Sequence, residues 1–448
     1  MLLSQICAIV IFVGMFAVVV SGKVARHVTT SIAGGLTILV VFLLAMRSSE
    51  AVLEALNLHT LIDPQFWFPG QHGEESVTGI NWGTILFIAG MMVMVEGMGD
   101  TGFFRWLCMV LAKAVRYRPT PLFLVFLFLS AVLSMFIDSI TVILFLVAVT
   151  IELSELLEFD PVPLILAEIF AANLGGASTM SGDPPNIIIG TALGLSFSDF
   201  LVNTGVIAWI SMGVVLPFLL FSARGMKKTC RRDPAVPPPA SAIVSRPHFV
   251  RSIGVFLLVV VLLVTHAQTG LSVAAIGIIA AILTLLTAYR GPLNLLKRLD
   301  WQTLVFFAGL FVTVSGLEQT GVLELLAGVI SGLGGGNPTL ILAIVLWLSA
   351  IASAFVDNIP FAATMVPVIR SIALTQGMEL NTLAWTLALG TDIGGSATPI
   401  GASANVVGTA IAAKEGHPIG WGRYCRVAVP ATVIAMTVSM VCLFLLYL

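Results

Sequence analysis

Apolar residues form long runs along this chain, and short polar segments separate them. A helix needs roughly 20 residues to cross about 30 Å of hydrocarbon. Runs of suitable length lie at residues 2–21, 30–46, 82–98, 162–193, 198–222, 250–266, 272–290, 301–317, 382–412 and 424–447. The pattern therefore predicts an all-α polytopic membrane protein with about ten transmembrane helices.

Two of these runs contain residues that break helices. The segment NLGGASTMSGDPPN, residues 173–186, interrupts the run 162–193, and DIGGSATPIGASAN, residues 392–405, interrupts the run 382–412. Irregular backbone at membrane depth is tolerated only where protein buries it or where it lines a wet cavity. The two broken helices therefore mark the path of a polar solute.

A second kind of interruption centres on an aspartate. FIDSIT around Asp138 and FVDNIP around Asp357 each lie within an apolar stretch of about 35 to 40 residues, which we interpret as a re-entrant hairpin that turns near mid-membrane. Two full spans joined by a tight turn are the alternative. Asp138, Ser139 or Asn358 could also serve only as the N-cap of the second arm, with Pro360 in its first turn.

The chain repeats itself at an offset of 219 residues. The segment that starts at Trp82 falls on the segment that starts at Trp301. With no gap, the same offset aligns Ser134 with Ser353, Asp138 with Asp357, Gly175 and Gly176 with Gly394 and Gly395, Thr179 with Thr398, Gly182 with Gly401, and Asn186 with Asn405. Because similar composition alone does not match polar residues, the halves are predicted to be copies of one unit.

Charge predicts how the copies are oriented. Basic residues accumulate on the cytoplasmic side, and the ten-span arrangement places all of the 21 Lys and Arg residues there except Arg47 and Arg370. Both termini then lie outside the plasma (inner) membrane. Each half has an odd number of spans, so the copies form an inverted-topology repeat, which is typical of secondary transporters.

These patterns divide the chain into two repeats, residues 1–222 and 250–448, joined by a cytoplasmic Pro-rich linker at 223–249. The predicted parts of the first repeat are scaffold spans within 1–98, an interfacial arm at 101–117, a hairpin at 119–157, a broken helix at 162–193 and a span at 198–222. The predicted parts of the second are scaffold spans within 250–317, an arm at 320–335, a hairpin at 338–374, a broken helix at 382–412 and a span at 424–448.

Composition limits the function classes. With 58% hydrophobic and 10% charged residues, the chain has more apolar surface than one water-soluble core can bury. The net charge of -2 does not indicate a nucleic-acid partner, and five scattered cysteines indicate neither disulfides nor zinc. HExxH, GxSxG and P-loop motifs do not occur. We expect a transporter of a small solute, not an enzyme, with no cofactor besides a coupling ion.

The breaks and hairpin tips supply the candidate binding residues. Freed carbonyls can coordinate a cation, and half-helix N-termini can face a polar solute. The glycine pairs could instead allow close helix packing. Asp183 and Asp392 align with Ala402 and Asn173, so their roles must differ between the halves. Glu96 and Glu168 also lie within predicted membrane spans, at 82–98 and 162–193.

The strings SGDPPNIIIG, FVDNIPFAATMVPV and PIGASANVVGTAIA resemble those of the ion transporter superfamily. They are most similar to the branch of arsenite-efflux permeases, NhaD-type sodium/proton antiporters, silicon-efflux transporters and the melanosomal P protein. The resemblance, which covers roughly residues 80–440, implies the fold of the divalent-anion/sodium symporters. That fold is a homodimer in which a transport domain slides as an elevator against a scaffold.

The resemblance also implies a binding set at the hairpin tips and broken helices. With the glycine pairs, the candidates are Asp138, Ser139, Asn173, Gly175, Gly176, Thr179, Asp183, Asn186, Asp357, Asn358, Asp392, Gly394, Gly395, Ser396, Thr398, Ser403 and Asn405. A sodium ion is expected at Asp138, Asn186, Asp357 and Asn405. Relatives commonly read Gly-Gly-Asn where this chain has Ser396, so one amide ligand is lost.

Charge also bears on the solute. The proposed site has up to four carboxylates, Asp138, Asp183, Asp357 and Asp392, and no Lys or Arg within either tip or break. Buried charge is costly unless it is compensated. We therefore expect proton- or sodium-coupled antiport of a cation or small weak acid such as arsenous or silicic acid. Sodium-coupled symport of carboxylates or inorganic anions is the alternative, and a passive channel is the alternative of another class.

Overall fold

A computed structural model describes residues 2–21, 23–69, 79–224, 237–356 and 358–448, and these residues form helices joined by short connections. The helices of the first half are α1 Leu2–Ser21, α2 Arg26–Leu36 with a π-helical continuation Thr37–Met46, α3 Ser49–Leu56, α4 Pro64–Trp67, α5 Trp82–Asp100, α6 Phe103–Ala114, α7 Pro119–Ser134, α8 Ser139–Leu157, α9 Val162–Gly176, α10 Pro184–Leu193, α11 Phe197–Phe200 with a π-helical continuation Leu201–Gly205, and α12 Val206–Ser222.

The second half has a matching series. Its helices are α13 Arg246–Thr269, α14 Val273–Thr287, α15 Pro292–Arg298, α16 Trp301–Gln319, α17 Val322–Gly334, α18 Pro338–Phe355, α19 Asn358–Gln376, α20 Leu380–Gly395, α21 Ser403–Lys414 and α22 Trp421–Tyr447. Short 3₁₀ helices lie at Leu58–Ile62 and Pro239–Ala242. Asp357 and residues 225–236 of the predicted linker lie outside the described residues.

The prediction of an all-helical protein with about ten membrane spans is confirmed, although the membership of the set differs. Within the described residues, ten helices are long and apolar enough to cross a membrane: Leu2–Ser21, Arg26–Met46, Trp82–Asp100, Ser139–Leu157, Phe197–Ser222, Arg246–Thr269, Trp301–Gln319, Pro338–Phe355, Asn358–Gln376 and Trp421–Tyr447. The predicted spans 162–193 and 382–412 are each two shorter helices. The predicted span 272–290 is the 15-residue helix α14.

Three hairpin arms, α8, α18 and α19, complete this set of ten. Their lengths of 19, 18 and 19 residues match a full crossing. The hairpins fit the full-span alternative by length, so a re-entrant course stays a prediction.

Scaffold helices of one half pack closely against scaffold helices of the other half. A methyl group added at Gly90 of α5 would lie 2.0 Å from the carbonyl oxygen of Gly277 in α14. At Gly309 of α16, 219 residues later, it would lie 2.5 Å from the carbonyl oxygen of Thr30 in α2. Backbones approach this closely only where the side chain is a hydrogen atom. Each half thus packs its α5 or α16 against the other half's scaffold.

The hairpins and broken helices form a second set of matching contacts. A methyl group at Gly175 in α9 would lie 2.1 Å from the carbonyl oxygen of Ala131 in α7. The same group at Gly394 in α20 would lie 2.2 Å from Ala350 Cα in α18. Both glycines therefore serve close helix packing, the alternative that the sequence left open. Beyond the breaks, α10 packs on α19 and α21 packs on α8, so each broken helix joins the other half's hairpin.

Candidate ion and solute site

Each broken helix opens into an irregular stretch at the same point of the repeat. In the first half α9 ends at Gly176 and α10 begins at Pro184, and in the second α20 ends at Gly395 and α21 begins at Ser403. The two Pro residues at the start of α10 lack N–H groups, which suits them to a helix start where those groups would have no helical partner. Pro184 and Pro185 therefore suit the position at which α10 begins.

One asparagine closes each break. Asn186 Nδ2 donates to the carbonyl oxygens of Gly176 at 3.0 Å and Thr179 at 3.1 Å. Asn405 makes the two matching bonds, both at 2.8 Å. Both asparagines have a fully buried side chain. Because the amide hydrogens are used on backbone, only Oδ1 remains for another partner.

Two threonines attach the breaks to the hairpins. The Thr179 hydroxyl donates to the carbonyl oxygen of Met135, and the Thr398 hydroxyl donates to that of Ala354. Both acceptors lie where the first arm of a hairpin ends. These threonines, which the sequence placed in the binding set, here stabilise the junction of hairpin and broken helix.

Asp183 lies where both hairpins meet. The Ser139 hydroxyl donates to Asp183 Oδ1 at 2.7 Å, and Asn358 Nδ2 donates to Oδ2 at 2.8 Å. Ser139 and Asn358 occupy matching positions, each the first residue of its hairpin's second arm. All three side chains are buried. One carboxylate thus joins the two halves of the molecule.

Asn173 and Asp392 occupy matching positions with different partners. Asn173 Nδ2 donates to Asn405 Oδ1 at 2.8 Å and to Ser396 Oγ at 3.1 Å. Asp392 is 1% exposed and faces Asp183 and Asn186. Among the described residues, neither carboxylate oxygen of Asp392 has a hydrogen-bond partner, and neither does Asn186 Oδ1. An excess of buried acceptors therefore collects beside Asp183.

A cavity of about 590 Å³ separates the scaffold from these residues. Its walls include Asp138, Ile140, Ser181, Pro184, Ile187, Ile359, Ser403 and Val406 on one side, and Arg26, His27, Phe87, Ile88, Glu96, Arg298, Asp300, Phe306 and Phe307 on the other. The wall thus contains matching residues of both halves, such as Phe87 with Phe306 and Ile140 with Ile359. The cavity is therefore lined by both halves of the chain.

Asp138 combines the two roles considered for it. Its Oδ2 accepts from the Thr141 N–H at 3.3 Å, so it caps α8. Its Oδ1 has no partner among the described residues, and the side chain lines the cavity. Capping uses one oxygen, which leaves the other for a ligand.

The cavity also contains basic residues that sequence reasoning missed. Arg26 Nη1 lies 3.4 Å from Ser403 Oγ, at the N-terminus of α21. Arg298 pairs with Glu96 at 3.0 Å and with Asp100. The expected absence of Arg and Lys holds within the tips and breaks, but scaffold helix α2 supplies a guanidinium from outside them. Only the position of Arg26 at the start of a span could have signalled this.

A second, smaller cavity of about 40 Å³ is lined by Phe311, Val314 and Ser315, which match Met92, Val95 and Glu96 of the large cavity. Arg370 also lines this small cavity, and its guanidinium donates to the carbonyl oxygen of Ala192 near the end of α10. Equivalent positions of the two halves therefore line cavities of very different volume.

The sequence also singles out the glycine pairs, Glu168 and Asp357. A methyl group at Gly176 would lie 3.2 Å from the carbonyl oxygen of Gly182, and one at Gly395 would lie 3.1 Å from that of Gly401, so both glycines allow the break to fold back on its helix. Glu168, fully buried, accepts from the Thr150 hydroxyl at 2.5 Å. Asp357 lies outside the described residues.

Comparison with known proteins extends the picture. A family model described as citrate transporter (CitMHS) matches residues 16–390. A 46 kDa membrane protein of Mycobacterium leprae is 34% identical over 376 residues, which cover 83% of this chain and 88% of that protein. The human P protein is 28% identical over an alignment that covers 94% of this chain and 60% of its own length.

Two solved transporter structures share the fold. The YdaH transporter of Alcanivorax borkumensis superimposes with a TM-score of 0.57 at 14% identity, covering 80% of this chain and 84% of its own. MtrF of Neisseria gonorrhoeae superimposes with a TM-score of 0.52 at 13% identity, covering 96% of this chain and 94% of its own. At this identity the likeness concerns the arrangement of helices alone.

Proposed function

Because the chain belongs to the citrate transporter family, we propose that this membrane transporter is a secondary active transporter coupled to H⁺ or Na⁺. The coupling ion binds between the two broken helices, at Asp183, Asp392 and Asn186. The solute binds in the adjoining cavity of about 590 Å³, beside Asp138. A homodimer with elevator movement of the hairpins and broken helices completes the proposal.

One observation carries the coupling proposal. Asp183 binds donors from both hairpins while Asp392, buried beside it, has no donor for either oxygen among the described residues. A buried carboxylate without hydrogen bonds or a counter-charge is strongly unfavourable. A cation or proton at this point removes the penalty, so its binding and the position of the hairpins depend on each other.

The buried carboxylates Asp183 and Asp392 favour antiport of a cation or a small weak acid. Asp183 and Asp392 are both buried and lie beside each other, and Asp138 brings a further carboxylate to the cavity wall. A cation or a neutral hydroxide such as arsenous or silicic acid enters such a site without like-charge repulsion. The proposed exchange moves this solute against H⁺ or Na⁺.

A second candidate is sodium-coupled symport of a carboxylate. Arg26 and the N-terminus of α21 face the same cavity, and both favour an anion. The family's description as citrate transporter supports this candidate. In this case the coupling cation neutralises the charge of Asp183 and Asp392, while Arg26 binds a solute carboxylate.

Transport in proteoliposomes separates the candidates. Purified protein would be reconstituted with a pH-sensitive dye inside, and a pH or Na⁺ gradient imposed in the presence of Na⁺, arsenite, silicic acid, citrate or succinate. For antiport, a cation or weak acid dissipates the gradient while labelled citrate and succinate stay at the level of protein-free vesicles.

Strong sodium-dependent citrate uptake that Arg26→Gln removes would establish the second candidate instead. Solute flux that neither gradient accelerates would indicate a passive channel and refute coupling.

A further inference from the structure

The matching positions Asn173 and Asp392 face equivalent partners with different chemistry. Asn173 donates a hydrogen to Asn405 Oδ1 at 2.8 Å. Asp392 faces Asn186, the counterpart of Asn405, with a side chain that has the same shape. An ionised Asp392 has no hydrogen to donate. The contact between Asp392 and Asn186 therefore lacks the hydrogen-bond donor that the contact between Asn173 and Asn405 has.

The neighbours of Asp392 cannot supply this hydrogen. Both Nδ2 hydrogens of Asn186 are used on the carbonyl oxygens of its own break, and its buried Oδ1 has no partner among the described residues. Both oxygens of Asp183 already accept hydrogen bonds, from Ser139 and Asn358. Around Asp392 the side chains thus present acceptor oxygens.

We infer that Asp392 is the carboxyl group that holds the exchangeable proton of this transporter, and that Asp183 stays ionised. A proton on Asp392 supplies the missing donor for Asn186 Oδ1 or for Asp183. Two neighbouring buried carboxylates do not both ionise readily, and Asp183 has the donors that stabilise a negative charge. The inference rests on the proposed function and names the group through which proton coupling acts.

Release of the proton has a structural consequence. Deprotonation of Asp392 gives H⁺ to water and leaves a second negative charge beside Asp183. Asp183 is the residue that joins both hairpins through Ser139 and Asn358. Repulsion between the two carboxylates then weakens this junction, which links protonation to hairpin movement.

The test is Asp392→Asn, because Asn173 shows that an amide at this position can donate to an asparagine Oδ1. Purified protein would be studied by infrared difference spectroscopy between low and high pH and by thermal unfolding across the same range. In the wild type, the carbonyl band of a protonated carboxyl group is lost as pH rises, and Tm falls. In Asp392→Asn, this component of the band is absent and Tm varies less with pH.

Glu168→Gln is the matched control, since Glu168, which lies on α9, is a buried carboxyl group like Asp392, which lies on α20. It is expected to keep the component that Asp392→Asn removes. An unchanged band and Tm profile in Asp392→Asn would overturn the assignment, as would loss of the component in Asp183→Asn but not in Asp392→Asn. Stabilisation of the wild type by Na⁺ at fixed pH, with the same carboxyl band in the wild type and in Asp392→Asn at every pH, would assign the position to sodium instead.

If Asp392→Asn does not fold, Asp183→Ala decides. Removal of the neighbouring negative charge makes ionisation of Asp392 easier and is expected to shift the loss of the band to lower pH, and an unmoved midpoint contradicts the inference. None of these measurements needs a transported solute. If the band behaves as expected and vesicles show no coupling, the proposed function fails and the proton assignment stands. Proton coupling that persists in Asp392→Asn refutes the assignment alone.

Discussion

The two halves of the molecule close their broken helices in the same way but fill the enclosed space differently. We call one group the amide centre, composed of Asn173, Asn405 and Ser396. We call the other the acidic centre, composed of Asp392, Asn186 and Asp183. In the amide centre Asn173 Nδ2 donates to both other residues, whereas in the acidic centre no hydrogen bond joins Asp392 to Asn186 among the described residues, and acceptors are in larger excess.

The comparison separates polar residues that make the same contacts in both halves from polar residues that differ between them. Asn186 and Asn405 make the same pair of backbone bonds, and both threonines bind the hairpin carbonyls. Those four residues therefore hold the broken helix in either half. Within the two centres the halves differ at three positions, where Asp183 stands opposite Ala402, Asn173 opposite Asp392, and Ala177 opposite Ser396. Among the described residues, the amide centre has one buried oxygen without a hydrogen-bond partner, Asn173 Oδ1, and the acidic centre has three, both oxygens of Asp392 and Asn186 Oδ1.

Asp183→Ala removes the largest part of this difference, since the matching residue is already Ala402. We expect transport in proteoliposomes to fall to the level of protein-free vesicles. Ser139 and Asn358 lose a shared charged acceptor, and each such hydrogen bond contributes about 1.5–3 kcal/mol. The measurement is solute or proton flux per reconstituted protein, together with size-exclusion chromatography to verify folding.

Asp160→Ala is the control for this substitution. Asp160 is an exposed aspartate that pairs with Arg423 and accepts from the Val162 N–H at 3.1 Å, away from both centres. It is expected to retain most of the wild-type flux. Substantial flux in folded Asp183→Ala would show that the junction between the hairpins is not required for transport.

Asp138→Asn tests the hairpin tip, where a cap and a ligand role coincide. Asparagine is as good an N-cap as aspartate, so α8 and the folded state should be retained. Loss of the charge that faces the cavity is expected to abolish coupled transport, measured as solute-dependent dissipation of a pH or Na⁺ gradient.

Asp300→Asn provides the comparison, because Asp300 lines the same cavity and caps α16 through the Thr303 N–H at 3.1 Å. Coupling should survive in this variant. If Asp138→Asn also transports at the wild-type rate, Asp138 is a helix cap alone.

The sequence predicts the fold class and the number of spans because both follow from apolar run length and composition. The 219-residue offset also identifies which side chains are counterparts. It cannot show which counterparts meet, because helical spacing gives the position of a residue along its own helix and not its partner across the halves. The bond between Asp183 and Asn358, 175 residues apart, is of this kind.

Run length was also the source of the differences. The sequence predicts the break within 162–193, but the length of that run still predicts one span, whereas α9 and α10 are each too short to cross. The length of α8 suits a span, although its sequence predicts a hairpin arm. The prediction of a site without basic residues considers only the hairpin tips and the breaks, whereas Arg26 approaches the cavity from a scaffold helix. A long arginine side chain extends well beyond its own helix, and the sequence does not show which distant site it approaches.

Asn173→Asp is expected to have the smallest effect and gives the most direct test of the comparison, because it converts the amide centre into a second acidic one. The introduced carboxyl group, when ionised, cannot donate to Asn405 Oδ1. We expect the free energy of unfolding to decrease by about 1–3 kcal/mol at neutral pH. At low pH the carboxyl group gains a proton and with it a donor, so stability recovers. The loss therefore grows as pH rises, because the folded state retains the proton more strongly than the unfolded state.

Asn173→Ala is the control, since it lacks the donor at every pH and its loss of stability should not vary with pH. Thermal unfolding of both variants across pH measures the difference. Equal, pH-independent losses would show that a carboxyl group facing an asparagine Oδ1 does not need a proton, and would remove the physical basis for distinguishing the two centres.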